Sequence, residues 1–111
     1  MDIELERAYI VVYWDCKSES VPVATIRKIF YSYPPARKYY LETVEYLKDK
    51  VRYGSEWLYV FKVPLTWVDE NNWEDLIGKP SKDLALFIQT KIRQIDIMDS
   101  TILGEYKSEE D

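Results

Sequence analysis

Histidine is absent from this 111-residue chain, and cysteine occurs once. Without an imidazole, Ser-His-Asp and Cys-His catalytic arrangements are excluded. A structural zinc site has a single sulfur to draw on and no nitrogen ligand, so it is excluded too. No side chain has an ordinary pKa near neutrality, which rules out a simple histidine pH switch. Cys16 has no partner for an internal disulfide, which points to a reducing, cytoplasmic setting. It reads as a packed or surface thiol at a strand end. No run of 18 apolar residues is present, so no membrane span is expected. The start, Met1-Asp-Ile-Glu-Leu-Glu-Arg7, is acidic and lacks the basic and apolar regions of a signal peptide. No cofactor-binding motif is visible, and neither a cofactor nor a metal is expected.

What is present is a globular composition, 47% hydrophobic and 32% charged. A chain of this length buries about two-thirds of its extended surface, enough for one core without staples. We expect one domain over 1–104 and a charged, frayed tail over 105–111. Four tryptophans and ten tyrosines are more rings than so small a core absorbs. Surplus exposed aromatics are typical of interfaces.

The charge is uneven. The chain carries a net −5, yet between Arg27 and Tyr53 seven Lys/Arg face three Asp/Glu, among six of the ten tyrosines. Basic charge beside aromatic rings suits single-stranded nucleic acid, which offers phosphates to one and bases to the other.

Along the chain, Ala8-Tyr-Ile-Val-Val-Tyr-Trp14 reads as a strand with apolar residues at both parities, so both its faces are covered. Val21–Tyr33 fits two templates. Ile26, Ile29, Phe30 and Tyr33 recur at helical spacing, which favours a helix; Val21, Val23, Thr25, Arg27, Ile29 and Tyr31 alternate as a strand would. Pro34-Pro35 breaks whatever precedes and starts a helix that runs to about Tyr53 and stops at Gly54. Glu56–Val68 is a second strand, interrupted at Pro64. Asp69–Asp75 is an acidic loop. Ser81 caps a last helix whose apolar face is Leu84, Phe87, Ile88, Ile92, Ile95, Met98 and Ile102, although Ile95-Asp-Ile-Met could instead open a final strand. The expected fold is α+β: a small single-layer sheet packed against two or three helices, with the helices on one face. Two clear strands make a poor sheet. More strand must come from the ambiguous segments or from a second copy.

On a helical wheel Tyr39, Tyr46 and Tyr53 form a stripe on one flank of the central helix. Arg37, Lys48 and Arg52 lie on the other. Lys38–Glu42, Glu45–Lys48 and Asp49–Arg52 are spaced as ion pairs, so the helix also reads as an ordinary solvated one. Ring and charge come together only near Pro34-Pro35. The acidic loop has oxygen ligands but not the calcium-loop register or its glycine. Asp15-x-Lys17 is half of a metal-nuclease signature and lacks a second carboxylate on a separate element.

The first expectation is therefore a small non-enzymatic protein that binds another protein, including itself as a homodimer, through Tyr39, Tyr46, Tyr53 and Trp73. The alternative is a nucleic-acid binder using Arg27, Lys28, Tyr31, Tyr33, Arg37, Lys38 and Tyr39. Scarce glutamine, with abundant Ile, Tyr, Glu and Lys, resembles the composition of small proteins of archaeal thermophiles and their viruses.

Overall fold

The computed structural model describes residues 6–16, 21–50 and 55–104. Four strands, β1 (Arg7–Cys16), β2 (Val23–Phe30), β3 (Ser55–Pro64) and β4 (Asp96–Gly104), form one sheet in the order β2-β1-β3-β4. Every neighbouring pair is antiparallel. Three helices accompany it: α1 (Tyr33–Leu47), α2 (Leu65–Glu70) and α3 (Lys82–Thr90). Short 3-10 turns stand at Trp73–Leu76 and Ile92–Gln94.

The helices lie on both faces of the sheet, not on one. Alternation along β1 decides this. Ala8, Ile10 and Val12 point to a core completed by Val68, Trp73, Leu84, Ala85 and Ile88, from α2, the 3-10 turn and α3. Val11 points the other way, to Ala36 and Tyr40 of α1. Since β1 is central, both its parities are buried, as its unbroken apolar run requires.

Within Val21–Tyr33, Val23–Phe30 is strand where periodicity favours helix. The reason is a bulge. Val11 faces Lys28 and Val12 faces Ile26, so Arg27 is an extra residue in β2. The extra residue shifts the alternation and puts Ile26 and Ile29, three apart, on the same face against the first core. A bulged strand thus reproduces the spacing of a helix.

The C-terminal helix is also shorter than its apolar face suggests. α3 begins with Ser81, whose Oγ accepts from the Leu84 N–H at 2.9 Å. It ends at Thr90, and the Lys91 N–H closes it on Ile88 and Phe87 carbonyls. Ile95 is buried, and β4 follows. Asp96, Asp99, Ser100 and Thr101 are weak helix formers, and the free edge of β3 offers them a partner. α1 likewise stops at Leu47 instead of Tyr53. The proposed stop at Gly54, and the tail 105–111, lie outside the described residues.

The two sheet edges differ. Along β2, residues 78–81 run as a strap. Ala24 and Ser81 exchange two backbone hydrogen bonds, at 3.0 and 2.9 Å, and the Gly78 N–H donates to the Ile26 carbonyl at 2.8 Å. Gly78 takes φ +82° to make this turn, a conformation glycine adopts without strain. Along β4, no described segment covers the outer edge.

Candidate interaction surface

β3 places Trp57, Tyr59 and Phe61 at alternate positions on the α3 face. Trp57 and Tyr59 stack with centroids 6.0 Å apart, and Tyr59 and Phe61 at 4.8 Å. Trp14, directly opposite Trp57 on β1, meets the Tyr59 ring edge-on at 6.2 Å. α2 and α3 do not reach across the whole of this face. An apolar groove of about 210 Å³ remains, lined by Trp14, Tyr59, Phe61, Ile88, Ile92 and Ile97, with Gln89 beside them. Burial holds the Tyr59 phenol above its ordinary pKa.

β4 continues this apolar face. Phe61 opposes Ile97, and Trp57 opposes Ile102. Five residues apart, these isoleucines would face opposite ways in a regular strand. Val60 faces Asp99 and Phe61 faces Ile97, so Met98 is an inserted bulge residue that brings them to one side. Ile97 is 50% exposed and Ile102 42%. Asp99 faces the other side, where Arg37 of α1 holds it in an ion pair and the Tyr33 hydroxyl donates to it at 2.7 Å. That hydrogen bond is the main cause of the raised Tyr33 pKa; Tyr33 and Asp99 in turn hold the Arg37 pKa up. Thr101 hydrogen-bonds Tyr40. The acid at the middle of the strand is therefore already neutralised.

The expected surface of Tyr39, Tyr46, Tyr53 and Trp73 does not come together. Trp73 is 2% exposed. It packs edge-on against Trp67 and Phe87, at 6.4 and 5.4 Å, inside the core. It is thus removed from the proposed surface: of the two readings Trp73 allows, folding back on the core or an exposed anchor, the first holds. Tyr39 is half-buried on Phe30, 5.6 Å away. Tyr46 is 60% exposed with Lys50 over its ring at 4.7 Å. Tyr53 lies outside the described residues.

The nucleic-acid set is dispersed as well. Tyr31 donates to Glu74 at 2.7 Å, a bond that raises its pKa. Tyr33 and Arg37 are engaged with Asp99 on the other side of the sheet. Arg27 is the half-buried bulge residue near Tyr13, while Lys28 sits over Phe30 and Tyr39, at 5.4 and 5.5 Å. Lys38 is exposed.

Among the described residues, no three Cys, Asp or Glu side chains gather as a metal-holding group. In the acidic loop, Asp69, Asn72, Glu74 and Asp75 line a shallow polar dent. Asp15 does face a second carboxylate, Glu56 on β3; Lys17 lies outside the described residues. Cys16 is half-buried at the end of β1. No described helix is long and apolar enough to cross a membrane.

Comparison with known proteins finds no matching family model, no similar curated protein and no similar solved structure. The functional reading therefore rests on the surface itself. Its residues, Trp57, Tyr59, Ile92, Ile97 and Ile102, escaped the sequence reading because Ile92 and Ile102 fall on the helical spacing of α3. The one available signal was the Ile95-Asp-Ile-Met alternative.

Proposed function

We propose that this chain is a small non-enzymatic protein-binding module that works in the cytoplasm. Its binding surface is the outer edge of β4 with the apolar groove beside it. One observation carries the reading: the strap bonds β2 at Ala24 and Ile26, while no described segment bonds the outer edge of β4, which exposed isoleucines flank. Open edges take additional strands, with backbone bonds giving affinity and side-chain pockets giving specificity. The aromatic floor under the groove supplies large, rigid apolar area, the usual anchor of such contacts.

Selection from a displayed random-peptide library tests this. Peptides should be enriched by the native chain and lost with Ile97→Lys or Ile102→Lys. If no enriched peptide depends on either position, the reading fails. The nucleic-acid alternative keeps Lys28, Lys38 and Tyr39. Titration with single-stranded DNA at two salt concentrations decides it, since binding through phosphates weakens steeply with salt.

A further inference from the structure

We infer that the occupant of this surface is a second copy of the chain: β4 pairs antiparallel with β4 of its twin about a two-fold axis near Ser100–Thr101. The inference rests on the strand-binding reading above and names its partner.

Three observations point to self-pairing. First, the strap bonds β2 at Ala24 and Ile26, while no described segment bonds the outer edge of β4, so β4 is the longer open edge among the described residues. Pairing β4 with β4 is isologous and closes at two, because each edge is then used up. One four-stranded sheet runs into the next.

Second, the outer edge of β4 carries no Lys or Pro guard, although its two bulges keep the pairable run short. From Ile97 to Gly104 there is no Lys, Arg or Pro. The single acid in that span, Asp99, is held by Arg37 and Tyr33 on the far face. Asp96 is exposed, but a two-fold axis through Ser100 sets it opposite Gly104 of the twin, not opposite another Asp96. Between Ile97 and Gly104 the one charged side chain is Asp99, so this run asks for no basic partner.

Third, the patch is complementary to itself. Each copy offers a groove and also the exposed isoleucines that would cover one. Bulges at Met98 and Leu103 leave Asp99–Ile102 as the regular run of the strand. Few backbone bonds form over so short a stretch, so Ile97, Ile102 and the aromatic floor carry most of the attraction.

Sedimentation velocity from micromolar to millimolar chain, at two salt concentrations, tests the inference. A dimer is expected that strengthens with salt, because salt screens the repulsion of two acidic bodies and leaves apolar contact intact. Ile97→Lys and Ile102→Lys should each weaken it about tenfold or more. Tyr46→Lys, on the α1 face, should not. Both isoleucines are exposed, so circular dichroism should show the variants folded. Amide exchange at Asp99–Ile102 should slow as concentration rises. A native chain that stays monomeric at millimolar concentration overturns the inference, as does a dimer indifferent to both lysines. A monomer that still enriches peptides through Ile97 and Ile102 would overturn the second copy alone. A monomer that enriches none would overturn the strand-binding reading with it.

Discussion

The Tyr13 hydroxyl donates to Glu56 Oε2 at 3.0 Å, tying β1 to β3 where Glu56 is only 4% exposed. The other oxygen, Oε1, has no hydrogen-bond partner among the described residues. Asp15 stands directly across from Glu56, so two carboxylates oppose each other at this end of the sheet. Tyr13→Phe removes this bond, the one to the Glu56 carboxylate among the described residues, and should cost about 2 kcal/mol by urea denaturation, the usual worth of a hydrogen bond to a charged group. Glu56→Gln keeps an acceptor for Tyr13 and ends the opposition of like charges. It should be neutral or stabilising by up to about 1 kcal/mol. A Tyr13→Phe chain as stable as the native one would show that the bond contributes nothing.

Alkaline pH should destabilise the fold before the tyrosines of the folded state ionise. Tyr13 and Tyr59 are raised chiefly by burial, Tyr31 and Tyr33 chiefly by their bonds to Glu74 and Asp99. For Tyr13, bonding to Glu56 and the charges of Glu56 and Asp15 add to burial, while Arg27 opposes them. Each folded pKa is above the unfolded value of about 10, so below that pH both states hold their protons and stability is unaffected. Above it the unfolded chain ionises first, binds fewer protons, and is stabilised relative to the fold. The urea midpoint should therefore be flat up to about pH 9.5 and fall beyond it. Tyr59→Phe should soften the decline; an unchanged slope would show that burial of this phenol does not contribute.

Trp73 and Tyr46 should behave in opposite ways. Trp73→Ala empties the centre of the Trp67–Trp73–Phe87 cluster and should cost about 3–5 kcal/mol, read from thermal or chemical unfolding. Tyr46→Ala touches an exposed ring and should stay within about 0.5 kcal/mol. Equal costs would contradict the burial described here.

The strap can be loosened without touching the core. Ser81→Ala deletes the cap of α3 and should cost about 1 kcal/mol. Gly78→Ala meets no atom within 4 Å, so its cost, about 1 kcal/mol, comes from placing a Cβ at φ +82°. Gly78→Ala should also form species larger than a dimer on size-exclusion chromatography, because a shifted turn there frees part of the β2 edge; Ser81→Ala keeps its backbone bonds to Ala24 and should not. Unchanged elution of Gly78→Ala would mean that the strap does not guard that edge.

The strands with uninterrupted β-branched and aromatic runs, β1 and β3, were legible from sequence, as was the start of α1 at Pro34-Pro35. What misled was the pair of bulges. Arg27 makes Ile26 and Ile29 share a face, and Met98 does the same for Ile97 and Ile102. Each inserts one residue into an alternation of two; Ile26 and Ile29 then sit three apart, and around the second bulge Ile95, Met98 and Ile102 fall three and four apart, intervals that periodicity assigns to helices. The basic, tyrosine-rich segment misled differently. Its residues are adjacent in sequence, but a strand, a sharp corner and a helix send Tyr31 to Glu74 and Tyr33 to Asp99, on opposite sides of the sheet. Local composition carries no information about which distant acid claims each group.

The pairing of β4 with β3 also sets an order of events during synthesis. Of the four strands, β4 is made last, and until then β3 is itself a sheet edge, with Trp57, Tyr59 and Phe61 uncovered on one flank. The contact between Arg37 and Asp99 joins residues far apart in the sequence, so it cannot form while the chain is being extended between them. The nascent protein thus passes through an interval in which its most aromatic strand lacks its second neighbour, when a chaperone or a premature encounter with another chain would find it.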